Sequence, residues 1–248
     1  MSSHRISLFL WRIALIAALL AAWQISATLW PAPYLPKLQA VFLRFLAFFH
    51  GNLLVSAVLP SLYRFAIGFG LAVFLGSLVG LTLGYIRNLN DWVRPILEYL
   101  RFLPTVALLP AALLLFGATD GMRIFVIAFG SIFPVILAAM DGARRVDQVL
   151  IDVARVNGLT ISERIFRVIL PASLPAIFAG IRIALAIALV MMVISELIAS
   201  NNGVGHFILR SQRLFQTANV YAGVLLLGGI GLVLTSCLLA IEARVLGW

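Results

Sequence analysis

Residues 144–171 read RRVDQVLIDVARVNGLTISERIFRVILP, the core of the longest charged stretch of a chain that is otherwise mostly apolar. Val146, Val149, Leu150, Val153, Ala154 and Val156 recur at steps of three and four residues, while Arg145, Asp147, Asp152 and Arg155 fall mostly elsewhere. That pattern predicts an amphipathic helix. Asn157-Gly158 supplies the left-handed residue that ends it. Thr160 followed three residues later by Glu163 predicts a capping box, opening a second short helix through Ile165, Phe166 and Ile169. Pro171 is expected to stop or bend that helix, because the residue before a proline resists helical geometry. The stretch therefore predicts a helix-turn-helix elbow. Its amphipathicity suits two roles equally: resting on lipid headgroups, or docking a soluble partner.

Outward from the elbow, the chain is too apolar for a soluble domain. Of 248 residues 63% are hydrophobic and 11% charged, with a mean hydropathy of +1.10; soluble domains hold about 45–50% and about 25%. A soluble surface cannot be built from so few polar residues, so the surplus must face lipid. Six stretches approach the roughly 20 apolar residues that a spanning helix needs: residues 8–30, 53–85, 97–116, 122–140, 174–198 and 220–241. The reading is an all-α integral membrane protein with six transmembrane helices. The first stretch has the basic start of a signal peptide in His4, Arg5 and Arg12, but its apolar run is longer than a signal core and is read as an uncleaved anchor. Pro31, Pro33 and Pro36 then lead into an amphipathic segment ending near Phe49. Residues 1–52 are accordingly taken as an N-terminal helix plus external segment, and residues 53–248 as the core, with 144–171 as its elbow.

The net charge of +9 would suggest nucleic acid in a soluble chain. In a membrane protein the distribution of basic residues matters first. With the N-terminus inside, twelve Arg lie on the inner side, and Lys37, Arg44, Arg64, Arg123, Arg210 and Arg213 on the outer. This ratio places both termini and the elbow in the cytoplasm. The acids distribute so that net charge is nearly balanced, +5 inside and +4 outside.

Within the spans, Gly76, Gly80 and Gly84 share a helix face and permit close helix packing; Gly228, Gly229 and Gly231 are read the same way. Charged groups inside spans are costly and therefore functional candidates. Glu196 lies near the outer end of the fifth span and Arg64 in the outer half of the second, so they either pair at an external gate or snorkel separately. Arg123 and Arg182 are read as snorkelling to headgroups. Met191, Met192 and Ser195 precede Glu196 and are candidates for lining a pathway, although a Met pair is also a common packing element. Residues 202–214 are read as a re-entrant or interfacial helix beside that gate. The single Cys237 permits no intrachain disulfide and is read as buried; His4, His50 and His206 show no ligand spacing and are read as surface or interfacial residues. A phosphate-binding loop needs Gly-Lys-Ser/Thr, and the sole lysine, Lys37, precedes Leu38. This chain cannot hydrolyse ATP by that route.

The string Asp152-Val153-Ala154, three residues, Gly158, nine residues, Val168-Ile169-Leu170-Pro171 resembles the EAA loop of binding-protein-dependent ABC importer permeases, EAA, three residues, Gly, nine residues, I-x-L-P. Asp152, Val153 and Val168 replace the Glu, first Ala and Ile of that pattern; the spacing is kept throughout. Ser61-Leu62-Tyr63-Arg64, Arg101-Phe102-Leu103-Pro104, Leu109-Pro110, Leu174-Pro175, and Glu196-Leu197-Ile198 followed by Gly203-Val204-Gly205 resemble the nitrate, alkanesulfonate and taurine branch. The resemblance implies a type I importer permease fold in a bacterial inner membrane, with two copies of the chain forming a homodimeric pathway. Two separate ATP-binding subunits would hold the ATP and Mg, with no cofactor in this chain, and an extracytoplasmic substrate-binding protein would deliver a small anion. It implies coupling through Asp152, Ala154, Asn157 and Gly158, flanked by Glu163 and Arg164, with Leu170 and Pro171 orienting the return into the membrane. The rival class is a secondary transporter, which calls for intramembrane acidic relays and internal repeats. Glu196 alone lies deep enough, and no repeat is visible.

Overall fold

The computed structural model describes residues 2–49 and 51–247, excepting the side chains of residues 2–10 and 87–91; the readings of His4, Arg5, His50, Arg87 and Asp91 lie outside the described residues. Among the described residues every regular element is helical: α1 (Ser2–Leu29), α2 (Leu38–Leu46), α3 (Leu59–Tyr85), α4 (Arg87–Phe102), α5 (Leu109–Phe116), α6 (Asp120–Arg144), α7 (Gln148–Val156), α8 (Ile161–Arg164), α9 (Leu170–Ala199), α10 (Val204–Arg213) and α11 (Thr217–Leu246). Among the described residues five helices are long and apolar enough to cross a membrane. A sixth crossing needs α4 and α5 together, and here the structure corrects the sequence reading. The third stretch is not one straight span: Trp92–Phe102 and Thr105–Phe116 meet at 81°. Leu103, forced out of helical geometry by Pro104, is extended at φ −63°, ψ 123°.

The core is the packing of α6 between α3 and α9, and small residues set its closeness. A Cβ on Gly76 would stand 2.9 Å from Val135 Cβ, and one on Gly84 2.5 Å from the Met140 carbonyl oxygen. Side chains there would force the helices apart. On the other side of α6, Gly180 faces Pro134 and Ala138, and Gly130 faces Met191. The expectation of close packing is not met at Gly228 and Gly229: a Cβ at either would meet nothing within 4 Å, and both open onto an apolar groove that Trp23 and Phe42 also line. Cys237, read as buried, is exposed on the same helix.

Two prolines enter long helices through widened turns. Residues Leu54–Val58 and Ile165–Ile169 are π-helical, one residue short of Pro60 and Pro171. A proline ring collides with the carbonyl four residues back and lacks the N–H that would bond it, and a π-turn relieves both problems. Pro171, expected to stop or bend its helix, does not stop it; helical backbone runs on from Ile161 to Ala199.

A smaller outer layer holds α2, α10 and the start of α11 around Val41, Phe48, Val204, Ala222 and Leu226. Gln24, the polar break in the first apolar stretch, accepts a hydrogen bond from Leu38 N (3.0 Å) at the start of α2, and Trp23 Nε1 donates to the Pro36 carbonyl (2.9 Å). The polar residues of α1 thus fasten the amphipathic helix that follows.

Candidate functional site

The elbow forms as its residues require. Asp147 caps α7 by accepting from Val149 N (2.9 Å). At the far end Gly158 takes φ +76°, its N–H donating to the Arg155 carbonyl (3.0 Å) while Leu159 N donates to that of Ala154 (3.1 Å). These two bonds are a Schellman turn, which favours glycine at this position. Thr160 Oγ1 accepts from Glu163 N (3.3 Å) and Glu163 Oε2 accepts from Thr160 N (3.0 Å), completing the expected capping box.

The apolar face of α7 divides in two. Ile151 and Ala154, with the preceding Val146, are buried against the bundle, whereas Val149, Leu150, Val153 and Val156 point away from it and are exposed, Val156 by 87%. Ile161 and Phe166 extend this exposed apolar surface beyond the turn. Ala154, read with Asp152, Asn157 and Gly158 as the contact and turn, is buried. Asp152 is exposed and pairs with Arg155 (3.3 Å); Asn157 Nδ2 donates to the Val153 carbonyl (2.8 Å) beside the open Gly158. Glu163 pairs with Arg167 (3.7 Å), and the Arg164 guanidinium lies 5.8 Å from the centre of the Tyr85 ring. Leu170 packs on the core and Pro171 is exposed.

At the opposite end of the bundle is a polar cluster of a different kind. Arg64 on α3 is 1% exposed and Glu196 on α9 0%. Arg64 Nη1 donates to Glu196 Oε1 (2.7 Å), Nε donates to Asp120 Oδ1 (2.8 Å), and Nη2 donates to Asn202 Oδ1. Ser61 Oγ stands 2.8 Å from both Glu196 oxygens and accepts from Val204 N (2.8 Å); Gly205 N donates to Glu196 Oε2 (2.9 Å). The carboxylate therefore holds the first turn of α10. Gly203, at φ +103°, lies so close to that carboxylate that no side chain fits there.

Of the two alternatives read for Arg64 and Glu196, the structure shows pairing. Arg123, read as snorkelling, is buried: its Nη1 donates to Asp120 Oδ1 (2.7 Å) and its Nη2 to the carbonyls of Ala118 and Ala199. Lipid-facing arginines reach headgroups only when a stem can run outward, and Arg123 lies on the α9 side of α6 instead. Arg182 is also paired, with Glu242 at 2.7 Å. Met191, Met192 and Ser195 turn into the core, Ser195 Oγ bonding the Met192 carbonyl at 2.9 Å. The face of α9 that lines an open groove, about 280 Å³, carries Leu189, Val190, Val193 and Ile194. Asp120, Ser61 and Asn202 escaped the sequence reading. Asp120 was detectable: it lies three residues before Arg123 and is one of two acids assigned to the outer side, the other being Glu196.

Residues 72–246 match the family described as binding-protein-dependent transport system inner membrane component. The chain is 34% identical over 243 residues to the putative aliphatic sulfonates transport permease protein SsuC of Bacillus subtilis strain 168, covering 95% of this chain and 86% of that one. It is 30% identical over 188 residues to the nitrate import permease protein NrtB of a Synechocystis species, covering 76% and 68%. It is 33% identical over 177 residues to the bicarbonate transport system permease protein CmpB of Synechococcus elongatus, covering 71% and 64%. Among solved structures, an inward-facing form of the MetNI methionine ABC transporter superposes with a TM-score of 0.65 at 19% identity, covering 77% of this chain and 95% of that one, and so shares the fold. With a family match across α3 to α11 and a relative aligned over nearly its whole length, the chain belongs to the binding-protein-dependent transport system inner membrane components, the permeases of ABC importers.

Proposed function

We propose that this permease imports a small oxyanion of the sulfonate, nitrate or bicarbonate class. Energy comes from ATP and Mg bound by two separate ATPase subunits, and the solute from an extracytoplasmic binding protein. Two copies of the chain form the pathway, both termini lie in the cytoplasm, and each elbow docks on one ATPase. The observation that carries this reading is the α7–α8 elbow: a turn that Gly158 makes possible presents Val149, Leu150, Val153 and Val156 outward, covered by no element among the described residues, at the bundle end opposite the Arg64–Glu196 cluster. Exposed apolar residues rimmed by Asp152 and Arg155 are the composition of a protein-docking surface. Relatives with sulfonate, nitrate and bicarbonate in their names support the anion class.

The test is reconstitution of the permease with its partner ATPase and binding protein. Uptake should require all three, and Gly158→Val should leave ATP hydrolysis running while uptake falls by more than tenfold, about 1.4 kcal/mol of coupling. Uptake on an ion gradient without ATP or a second subunit would overturn the proposal.

A further inference from the structure

We propose that the outer ion cluster is a binding site for a small oxyanion, occupied in this structure by the chain's own Asp120. This rests on the reading of the protein as an anion importer and names a site for the anion. One carboxylate oxygen, Asp120 Oδ1, receives Arg64 Nε at 2.8 Å, Arg64 Nη2 at 2.8 Å and Arg123 Nη1 at 2.7 Å. Two guanidinium groups thus aim three charge-assisted donors at one oxygen, and guanidinium N–H groups bind carboxylate, sulfonate and nitrate oxygens alike.

The four ionised groups are not equally placed. The side chains of Arg64, Arg123 and Glu196 are 1%, 5% and 0% exposed, and that of Asp120 is 51% exposed. Asp120 stands at the solvent edge, in the first turn of α6 behind the exposed residues 117–119. The arginines do not need it to stay in place: Arg64 is also held by Glu196 and Asn202, and Arg123 by the carbonyls of Ala118 and Ala199. Glu196 balances one of the two positive charges. When Asp120 swings out, one buried positive charge remains, which a monovalent anion neutralises. Asp120 thus acts as an internal stand-in that closes the site until an external anion replaces it.

The experiment uses the purified permease alone, in detergent and low-anion buffer, and follows thermal unfolding as methanesulfonate or nitrate is added. Gluconate at equal ionic strength is the bulky control. In Asp120→Asn, which keeps the shape and removes the charge, and in Asp120→Ala, the small anions should raise the melting temperature saturably, with half-saturation on the order of millimolar. The wild type, with its carboxylate in place, should need roughly tenfold more anion. Adding Arg123→Gln to Asp120→Asn should abolish the saturable rise. Equal shifts with gluconate, saturation of the wild type at the same concentration as Asp120→Asn, or a rise that survives Arg123→Gln would each overturn the site. No ATPase or uptake enters this measurement, so a failure of reconstituted import with intact anion stabilisation would sink the importer reading and leave the site standing.

Discussion

Arg64 and Glu196 are withdrawn from water, and each makes the other's burial tolerable. Desolvating a single ion costs several kcal/mol that only a well-bonded partner returns. Glu196→Gln should therefore lower stability by roughly 3–5 kcal/mol, because Arg64 loses its buried counter-charge. Arg64→Met combined with Glu196→Leu should recover much of that loss. Thermal unfolding in detergent measures both; a double variant no more stable than Glu196→Gln would show that the pair is not coupled. The sequence located both residues in the outer halves of their spans. It could not decide between pairing and snorkelling, because that depends on the rotation of α3 and α9 about their axes. The same ignorance misplaced Arg123, whose i−3 neighbour Asp120 was the visible clue.

At the level of helices, closeness of approach separates glycines that look alike in sequence. Gly84→Val would drive a side chain into the Met140 carbonyl and wedge α3 from α6. We expect loss of monodisperse protein on gel filtration, as overpacking here strains backbone rather than a pliable side chain. Gly228→Ala, whose new methyl meets open space, should leave stability unchanged or raise it by up to about 1 kcal/mol, alanine being the better helix former. Similar denaturation of the two variants would contradict the packing described for α3 and α6. Helix caps were the most legible local feature: Thr160–Glu163 and Asn157-Gly158 act over three or four residues and need no tertiary information. The π-turns before Pro60 and Pro171 were not legible, because proline reports a conflict with the helix without saying whether the chain breaks or widens.

Across the whole molecule, the ion pairs sort by bundle end. Arg64, Asp120, Arg123 and Glu196 join at one end, while Arg94 pairs with Asp141, and Arg182 with Glu242, towards the other. Each pair unites residues that the count of basic residues assigned to one side. The proposed orientation predicts that, in a Cys237→Ser background, Val156→Cys reacts with a membrane-impermeant maleimide only from the cytoplasm and Phe215→Cys only from outside. Both positions are almost fully exposed. Labelling from the reverse sides would invert the topology and remove the elbow from any cytoplasmic ATPase.

The sequence by itself determined the helical membrane class, most of the span positions and the geometry of the elbow, since hydropathy and capping act along the chain and over short distances. Tertiary structure alone decided which face of each helix is covered. It buried Ala154 while leaving Val156 exposed, turned Met192 inward, left Gly228 in open space, broke the third span at Pro104, and joined Asp120 to two arginines. The physical reason is that lipid and protein interior are almost equally apolar, so hydrophobicity places a residue at a depth in the membrane but exerts little torque on its helix. That rotation is set by close packing at small residues and by buried charges finding one another, and both require the neighbouring helices to be in place.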